Sequence, residues 1–305
     1  MMAESAPAAA RKADDPLSSA LWMLTACATL AAVATMGRYL TSSGLPAVQL
    51  VFLRSILIVI MLSPLLLRRG VELVTTDRPG LYLVRVIVTG LAMTTWFASL
   101  AYIPVGEVTA ISFLAPLFTT VGAALVLGEA VHARRWIATC VGFAGALVIS
   151  RPGISEFSIG TGLAILSAVA MGASYLFIKF LSRRDDPNKI VFLSTLLMIP
   201  VTLLPALVVW HWPEPQQWGV IAAVGVATTL GHGALTRAIS AADASFATSL
   251  DFLRLPFAVA FGYLAFGEMI DLWTWIGAGI VFASSFYIAN REKTLGKRAA
   301  PAPGA

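Results

Sequence analysis

The hydrophobic positions of this chain fall in long unbroken runs rather than in the narrow stripes of surface helices or the alternation of half-buried strands. Apolar segments occupy roughly 17–37, 46–67, 80–101, 107–128, 134–150, 159–181, 189–209, 216–236, 244–267 and 272–290. A helix rises about 1.5 Å per residue, so about 20 apolar residues cross the hydrocarbon core of a bilayer. The pattern therefore predicts an all-α integral membrane protein of ten transmembrane helices. Between the runs lie short stretches rich in turn residues, such as Ser42-Ser43-Gly44-Leu45-Pro46, Arg151-Pro152-Gly153 and Asp185-Asp186-Pro187-Asn188. They leave no room for a soluble domain. A β-barrel would need strands of about ten residues with alternating polarity, and the run 191–205 does not alternate. Helices remain, because each satisfies its own backbone N–H and C=O groups in lipid.

Composition agrees. Hydrophobic residues make up 58% of the 305 positions and charged residues 12%, against about 25% charged in a soluble domain. The apolar excess excludes intrinsic disorder, and two cysteines exclude a disulfide scaffold. Cys27 and Cys140 both fall in apolar runs and read as small buried hydrophobes. Too few Lys and Arg are present for a nucleic-acid surface, so no nucleic acid is expected as a partner.

The net charge of +5 gains meaning from its placement. With a cytoplasmic N-terminus, fifteen Lys and Arg fall on the cytoplasmic side, among them Arg11, Arg68, Arg134, Arg184, Arg237 and Lys293; only Arg38 and Arg151 fall opposite. This bias predicts that both termini are cytoplasmic. The first apolar run, long and followed by nine more, reads as a retained helix rather than a signal peptide.

The two halves resemble each other. Leu127-Gly128-Glu129 aligns with Phe266-Gly267-Glu268, and at the same spacing of about 139 residues Trp136-Ile137 aligns with Trp275-Ile276. Upstream, Leu114-Ala115-Pro116-Leu117-Phe118 matches Leu253-Arg254-Leu255-Pro256-Phe257 with a one-residue slip at the proline. Five spans per half is an odd number, so the second copy enters the membrane inverted, as in many secondary transporters. The expected divisions are a cytoplasmic segment 1–16, repeats over 17–150 and 151–290, and a disordered cytoplasmic tail over 291–305.

Ala101-Tyr102-Ile103-Pro104 leading to Pro116 and Leu127-Gly128-Glu129, with its counterpart from Ala241-Ala242-Asp243-Ala244 to Gly267-Glu268, resembles the EamA repeats of the drug/metabolite transporter superfamily. The resemblance extends over about residues 17–290, and departs in the second copy, where the tyrosine position is apolar. It implies two inverted five-helix repeats around a central cavity lined largely by the first, third, fourth, sixth, eighth and ninth spans, in a bacterial inner membrane. It does not name the substrate.

Charges inside the spans nominate the site, since a charge at the bilayer centre costs about 2.5–3.5 kcal/mol on insertion scales and needs a cavity or a partner. Four basic residues qualify: Arg54, Arg85, Lys179 and Arg254. Lys179 lies near a span end and can snorkel. Arg54 either clamps backbone carbonyls between helices or faces the cavity. In the ninth span Asp251 and Arg254 share a helical face with Thr248 one turn earlier. They form either a self-neutralised pair bracing the Pro256 kink or opposite charges offered to a polar or zwitterionic solute. In the fourth span Thr109, Ser112 and Pro116 make a neutral stripe, although such hydroxyls often bond their own backbone. Arg85, Thr89 and Trp96 share a face of the third span, where Trp96 is placed to stack on a planar solute. His232, between Gly231 and Gly233, is a candidate proton acceptor or a residue tied to a neighbouring helix. Glu129 and Glu268 read as braces for the connections that follow them. The small-residue stripes Ala138/Gly142/Ala146 and Gly279/Ala283 read as close helix packing, within the chain or across a homodimer.

These features predict a secondary transporter of a small polar, planar or zwitterionic metabolite, with riboflavin- or S-adenosylmethionine-like import as the first guess. Export of amino acids or drugs, or a passive channel or receptor, is the alternative. No H-E-x-x-H, G-x-S-x-G or P-loop motif occurs, so neither an enzyme nor direct ATP use is expected, and no cofactor or metal is predicted. A coupling proton or a counter-substrate would supply the driving force.

Overall fold

Apolar runs separated by proline, glycine and charge fold as predicted into helices that lie against one another. The computed structural model describes residues 16–127, 133–150, 158–181, 184–241 and 251–299. Their helices are α1 (Pro16–Ser42), α2 (Ala47–Arg69), α3 (Pro79–Ser99), α4 (Val105–Ser112), α5 (Ala115–Leu127), α6 (Ala133–Ser150), α7 (Ile159–Leu181), α8 (Pro187–Val208), α9 (Pro215–Ala241), α10 (Arg254–Phe266) and α11 (Leu272–Ala299). Proline opens α1, α3, α8 and α9, where its missing N–H would have no partner anyway. Among the described residues, seven segments are long and apolar enough to cross a membrane, α4 and α5 together forming one of them; shorter apolar helices occupy Trp136–Ile149, Arg254–Phe266 and Leu272–Ser284. Large side chains such as Leu125, Leu204 and Leu264 point outward at 71–78% exposure, an apolar exterior suited to lipid rather than water.

Two predicted helices are broken. The expected continuous span 107–128 divides between α4 and α5, and backbone bonds tighten to i→i−3 at the break, with Phe113 N–H donating to Ala110 O and Leu114 N–H to Ile111 O. The cause is Pro116, which has no N–H to give and whose ring displaces the carbonyl of Ser112. In the expected span 244–267, of which residues 251–267 are described, a 3₁₀ turn over Asp251–Leu253 interrupts the α-helix before α10 starts at Arg254. Pro256 acts there as Pro116 does in the first half. At the spacing that aligns Leu127 with Phe266, Phe113-Leu114 falls on Phe252-Leu253, so both breaks occupy equivalent places.

The tail also differs. Helix α11 continues to Ala299 through part of the stretch expected to be disordered, because Arg291, Glu292, Lys293 and Leu295 are good helix formers that extend an existing helix.

Each helix of one half packs on one of the other: α1 along α9, α3 along α7, α2 against α8, α4 against α10 and α6 against α11. The α6–α11 contact lies inside the chain and uses Ala138 and Gly142 of the predicted stripes, but its closest approach is at Gly145 and Gly277, which the stripes did not include. A Cβ on Gly277 would lie 2.6 Å from the Gly145 carbonyl oxygen, so only glycine permits this approach. The Ser284 hydroxyl donates to Ala138 O across the same seam. Gly279 instead faces open space.

The main core runs through Leu50, Phe97, Leu100, Val105, Leu114, Leu117 and Leu255. The same cluster takes in Val33, Ala34 and Ala168, which also line a cavity between the helices.

Candidate functional site

The cavity measures about 310 Å³, within the range that holds a metabolite. Its walls come from α1 (Leu30, Val33, Ala34), α2 (Arg54), α3 (Arg85, Thr89, Met93, Trp96), α4 and α5 (Thr109, Ser112, Ala115), α7 (Ser167, Ala168, Met171, Ser174, Tyr175, Ile178), α9 (Thr228, His232) and α10 (Arg254). Both halves contribute, and both broken helices face it.

Arg54, Arg85, Trp96, Thr109, Ser112, His232 and Arg254 are thus brought to one cavity from five helices. Asp251 is not among the lining residues. It stands beside Arg254, its Oδ2 3.4 Å from the guanidinium. Thr248 lies outside the described residues, as does Glu129.

The three arginines are held in different ways. Arg85, the most buried, donates to Ile190 O at 3.2 Å and to the Ser194 hydroxyl, both on α8. The helix-to-helix clamp expected as one role of Arg54 is therefore made by Arg85. Arg54 lies over the ring of Phe97, 5.4 Å from its centroid, and its buried Nε has no hydrogen-bond partner among the described residues. Arg254 lies 5.2 Å from the Phe113 centroid, and its Nε is likewise buried and unpartnered. Phe113 sits at the break between α4 and α5, so one broken helix supplies the ring on which the other's cation rests.

The hydroxyls behave as small polar groups in membrane helices usually do. Thr109 donates to Val105 O at 2.8 Å and Ser112 to Thr109 O at 2.6 Å. Their hydrogens are spent on their own helix, which leaves oxygen lone pairs toward the cavity. Thr89 and Ser174 share a 2.7 Å bond between α3 and α7, and Ser167 donates to Ala92 O at 2.8 Å. His232 Nδ1 lies 3.0 Å from Thr228 O on its own helix. A carbonyl only accepts, so Nδ1 carries a hydrogen and Nε2 is left to take a proton or a hydrogen bond. Glycine at 231 has a packing reason: a Cβ there would meet Thr29 and Leu30 of α1 at 2.9 Å. Trp96 packs edge-on to Phe97 at 4.9 Å.

The sixth span, α7, lines the cavity as the resemblance implied, but its individual residues were not singled out. Ser167, Met171, Ser174, Tyr175 and Ile178 recur at three- and four-residue steps, which is the only sequence signal they carry.

A second polar cluster lies one helical turn past Ala34 and Trp96. Arg38 pairs with Glu268 and donates to Leu100 O and, at 2.8 Å, to Ile103 O. Glu268 accepts from Val105 N–H at 2.9 Å. The cluster ties α1, the start of α4 and the end of α10 together over the cavity.

The profile of the EamA-like transporter family matches twice, over residues 17–151 and 158–290. The chain belongs to the EamA-like transporter family. This EamA-like transporter is 33% identical to a riboflavin transporter of Vibrio cholerae over 93% of its own length and 96% of that protein. It is 27% identical to an S-adenosylmethionine uptake transporter of Rickettsia prowazekii over 91% of this chain and 94% of that one. A pseudopaline exporter of Pseudomonas aeruginosa is 29% identical over 83% and 89%. One crystal structure shares the fold with a TM-score of 0.58 at 17% identity, covering 93% of this chain and 99% of the other. The family, the relatives and the apolar helices together make this a multi-pass membrane protein that transports a small metabolite.

Proposed function

We propose that the chain is a secondary transporter moving a small polar, planar or zwitterionic metabolite across the bacterial inner membrane by alternating access. Ten spans form two repeats, 17–150 and 151–290, the second inverted, with both termini cytoplasmic. The two family matches support this, as does a pairing of helices that repeats when the halves are exchanged: first span on eighth, sixth on third. Fifteen cytoplasmic Lys and Arg against two support the orientation.

The observation that carries the proposal is the cavity between the halves, with Ser112 and Arg254 both in its lining at equivalent helix breaks. Broken helices near the midplane present polar groups to a solute where irregular backbone is tolerated, and rocking one half against the other exposes the site alternately. Arg54, Arg85, Arg254, Trp96, Thr109, Ser112 and His232 bind the solute, with Asp251 acting through Arg254 and Thr248, one turn earlier in the sequence, as a further binding residue. A riboflavin-like cargo taken inward is favoured by the riboflavin transporter relative, and an S-adenosylmethionine-like one by the uptake relative. The pseudopaline exporter favours a second reading, outward movement of an amino-acid derivative.

Counterflow in proteoliposomes tests the mechanism. Vesicles loaded with unlabelled riboflavin should transiently concentrate labelled riboflavin from outside. A channel equilibrates without overshoot, and absence of overshoot for riboflavin, S-adenosylmethionine and amino acids alike would overturn the proposal.

A further inference from the structure

The charges around the cavity are unequal in sign, and that inequality narrows the solute further than volume does. Among the described lining residues the cations are Arg54, Arg85 and Arg254, and none is an aspartate or glutamate. Asp251 offsets part of the Arg254 charge from outside the lining.

Two of these cations are held by ring faces, Arg54 on Phe97 and Arg254 on Phe113. A ring face stabilises positive charge but accepts none of the N–H groups in the guanidinium plane. Nε of each is buried without a hydrogen-bond partner among the described residues, and so is the Thr228 hydroxyl. Buried donors are normally paired, so neither guanidinium has its charge offset at Nε by a protein acceptor among the described residues. Thr109 and Ser112 have already used their hydrogens, and add no competing donors.

The geometry points to a cavity that reads hydrogen-bond acceptors: it takes a neutral or anionic flat solute whose carbonyl, imide or carboxylate oxygens meet Arg54 and Arg254, and it rejects net cations. This rests on the cavity being the transport site and specifies its cargo. An uncharged flavin ring, with ring carbonyls and nitrogen lone pairs, has the required chemistry. A sulfonium cation such as S-adenosylmethionine does not, because its charge meets three guanidiniums in a site of low dielectric.

The selectivity can be measured without knowing the substrate. Ser112→Cys in a Cys27→Ala, Cys140→Ala background places one thiol on the cavity wall of the full-length protein in membrane vesicles. Its rate with anionic methanethiosulfonate ethylsulfonate is compared with its rate with the cationic ethyltrimethylammonium reagent, each normalised to a free thiol in solution. The anionic reagent should be favoured by about tenfold or more, since a charged cleft concentrates counter-ions. Arg54→Gln and Arg254→Gln should each reduce that ratio by about threefold or more, and Arg54→Lys, which keeps the charge, should preserve it. If Arg54→Gln does not reach the membrane, Arg254→Gln carries the comparison. A ratio near one, a cationic preference, or an unchanged ratio in the glutamine variants would overturn the inference. Counterflow is read separately: charge selectivity with no counterflow would sink the transport site while leaving the assignment of the arginines standing.

Discussion

Arg38 of α1 and Glu268, just past the end of α10, form an ion pair that joins the two halves of the molecule over the cavity. Neither partner is isolated. Arg38 also holds the carbonyls of Leu100 and Ile103, while Glu268 takes the Val105 N–H, one of the groups left open at the start of α4. Glu268 was expected to brace its connection, and its bracing reaches across the repeats.

Removing one partner leaves the other charged and half-buried. Glu268→Ala should destabilise the detergent-solubilised protein by about 3 kcal/mol, and Glu268→Gln by less, because an amide oxygen still accepts from Val105. Thermal unfolding of the two variants checks the order. Equal losses would show that the Val105 bond contributes nothing.

Arg254 lines the cavity and Asp251 stands behind it. Arg254→Gln should therefore reduce transport by at least about tenfold, with protein still in the membrane, as expected when a charge-assisted hydrogen bond of about 1.5–3 kcal/mol is lost. Asp251→Asn should reduce it less. The double variant should resemble Arg254→Gln alone, since contacting residues are not additive. Initial uptake rates in proteoliposomes decide this, and an additive double loss would separate the two residues.

His232 lines the cavity, and with Nδ1 engaged by Thr228 O its Nε2 is the nitrogen left to take a proton. If a proton drives transport through this ring, the His232→Gln protein should lose the dependence of uptake on external pH between about 5 and 8, where histidine titrates. A variant with the wild-type profile removes His232 as the coupling group.

Glycines in α11 should differ sharply. Gly277→Ala would press a methyl against the Gly145 carbonyl, and overpacking of this kind costs about 1–3 kcal/mol. Gly279→Ala meets nothing within 4 Å and should be neutral or slightly stabilising, because alanine is the better helix former. Melting temperatures of the pair provide the comparison, and equal values would show that the α6–α11 seam adapts.

The site was legible where residues contradict their surroundings. Arg54, Arg85, Arg254 and His232 stand out because apolar segments do not carry charge without a reason, and all four line the cavity. Ser167, Ser174 and Tyr175 do not stand out in that way. A hydroxyl in a membrane helix can bond its own carbonyl and face anywhere, so although the sixth span was expected at the cavity, which of its residues line it emerged only once α7 was seen against α3. Asp251 shows the opposite limit: its spacing from Arg254 announced the pair, but not that the aspartate stands behind the arginine. The helix breaks were half legible, since Pro116 and Pro256 announce a kink, while its extent depends on what packs against the freed turn.

By itself the sequence determined the membrane class, the positions of the apolar helices, the duplicated half and the short roster of intramembrane charges. All of these follow from local requirements: a helix must span lipid, its backbone must be satisfied, and a charge there needs a partner. The tertiary structure decided which face each helix turns inward, that Arg85 clamps α8 while Arg54 and Arg254 rest on aromatic rings, and that Arg38 meets Glu268. Those outcomes depend on the rotation of each helix about its axis, which is set by the neighbours it packs against and is not encoded within any one segment.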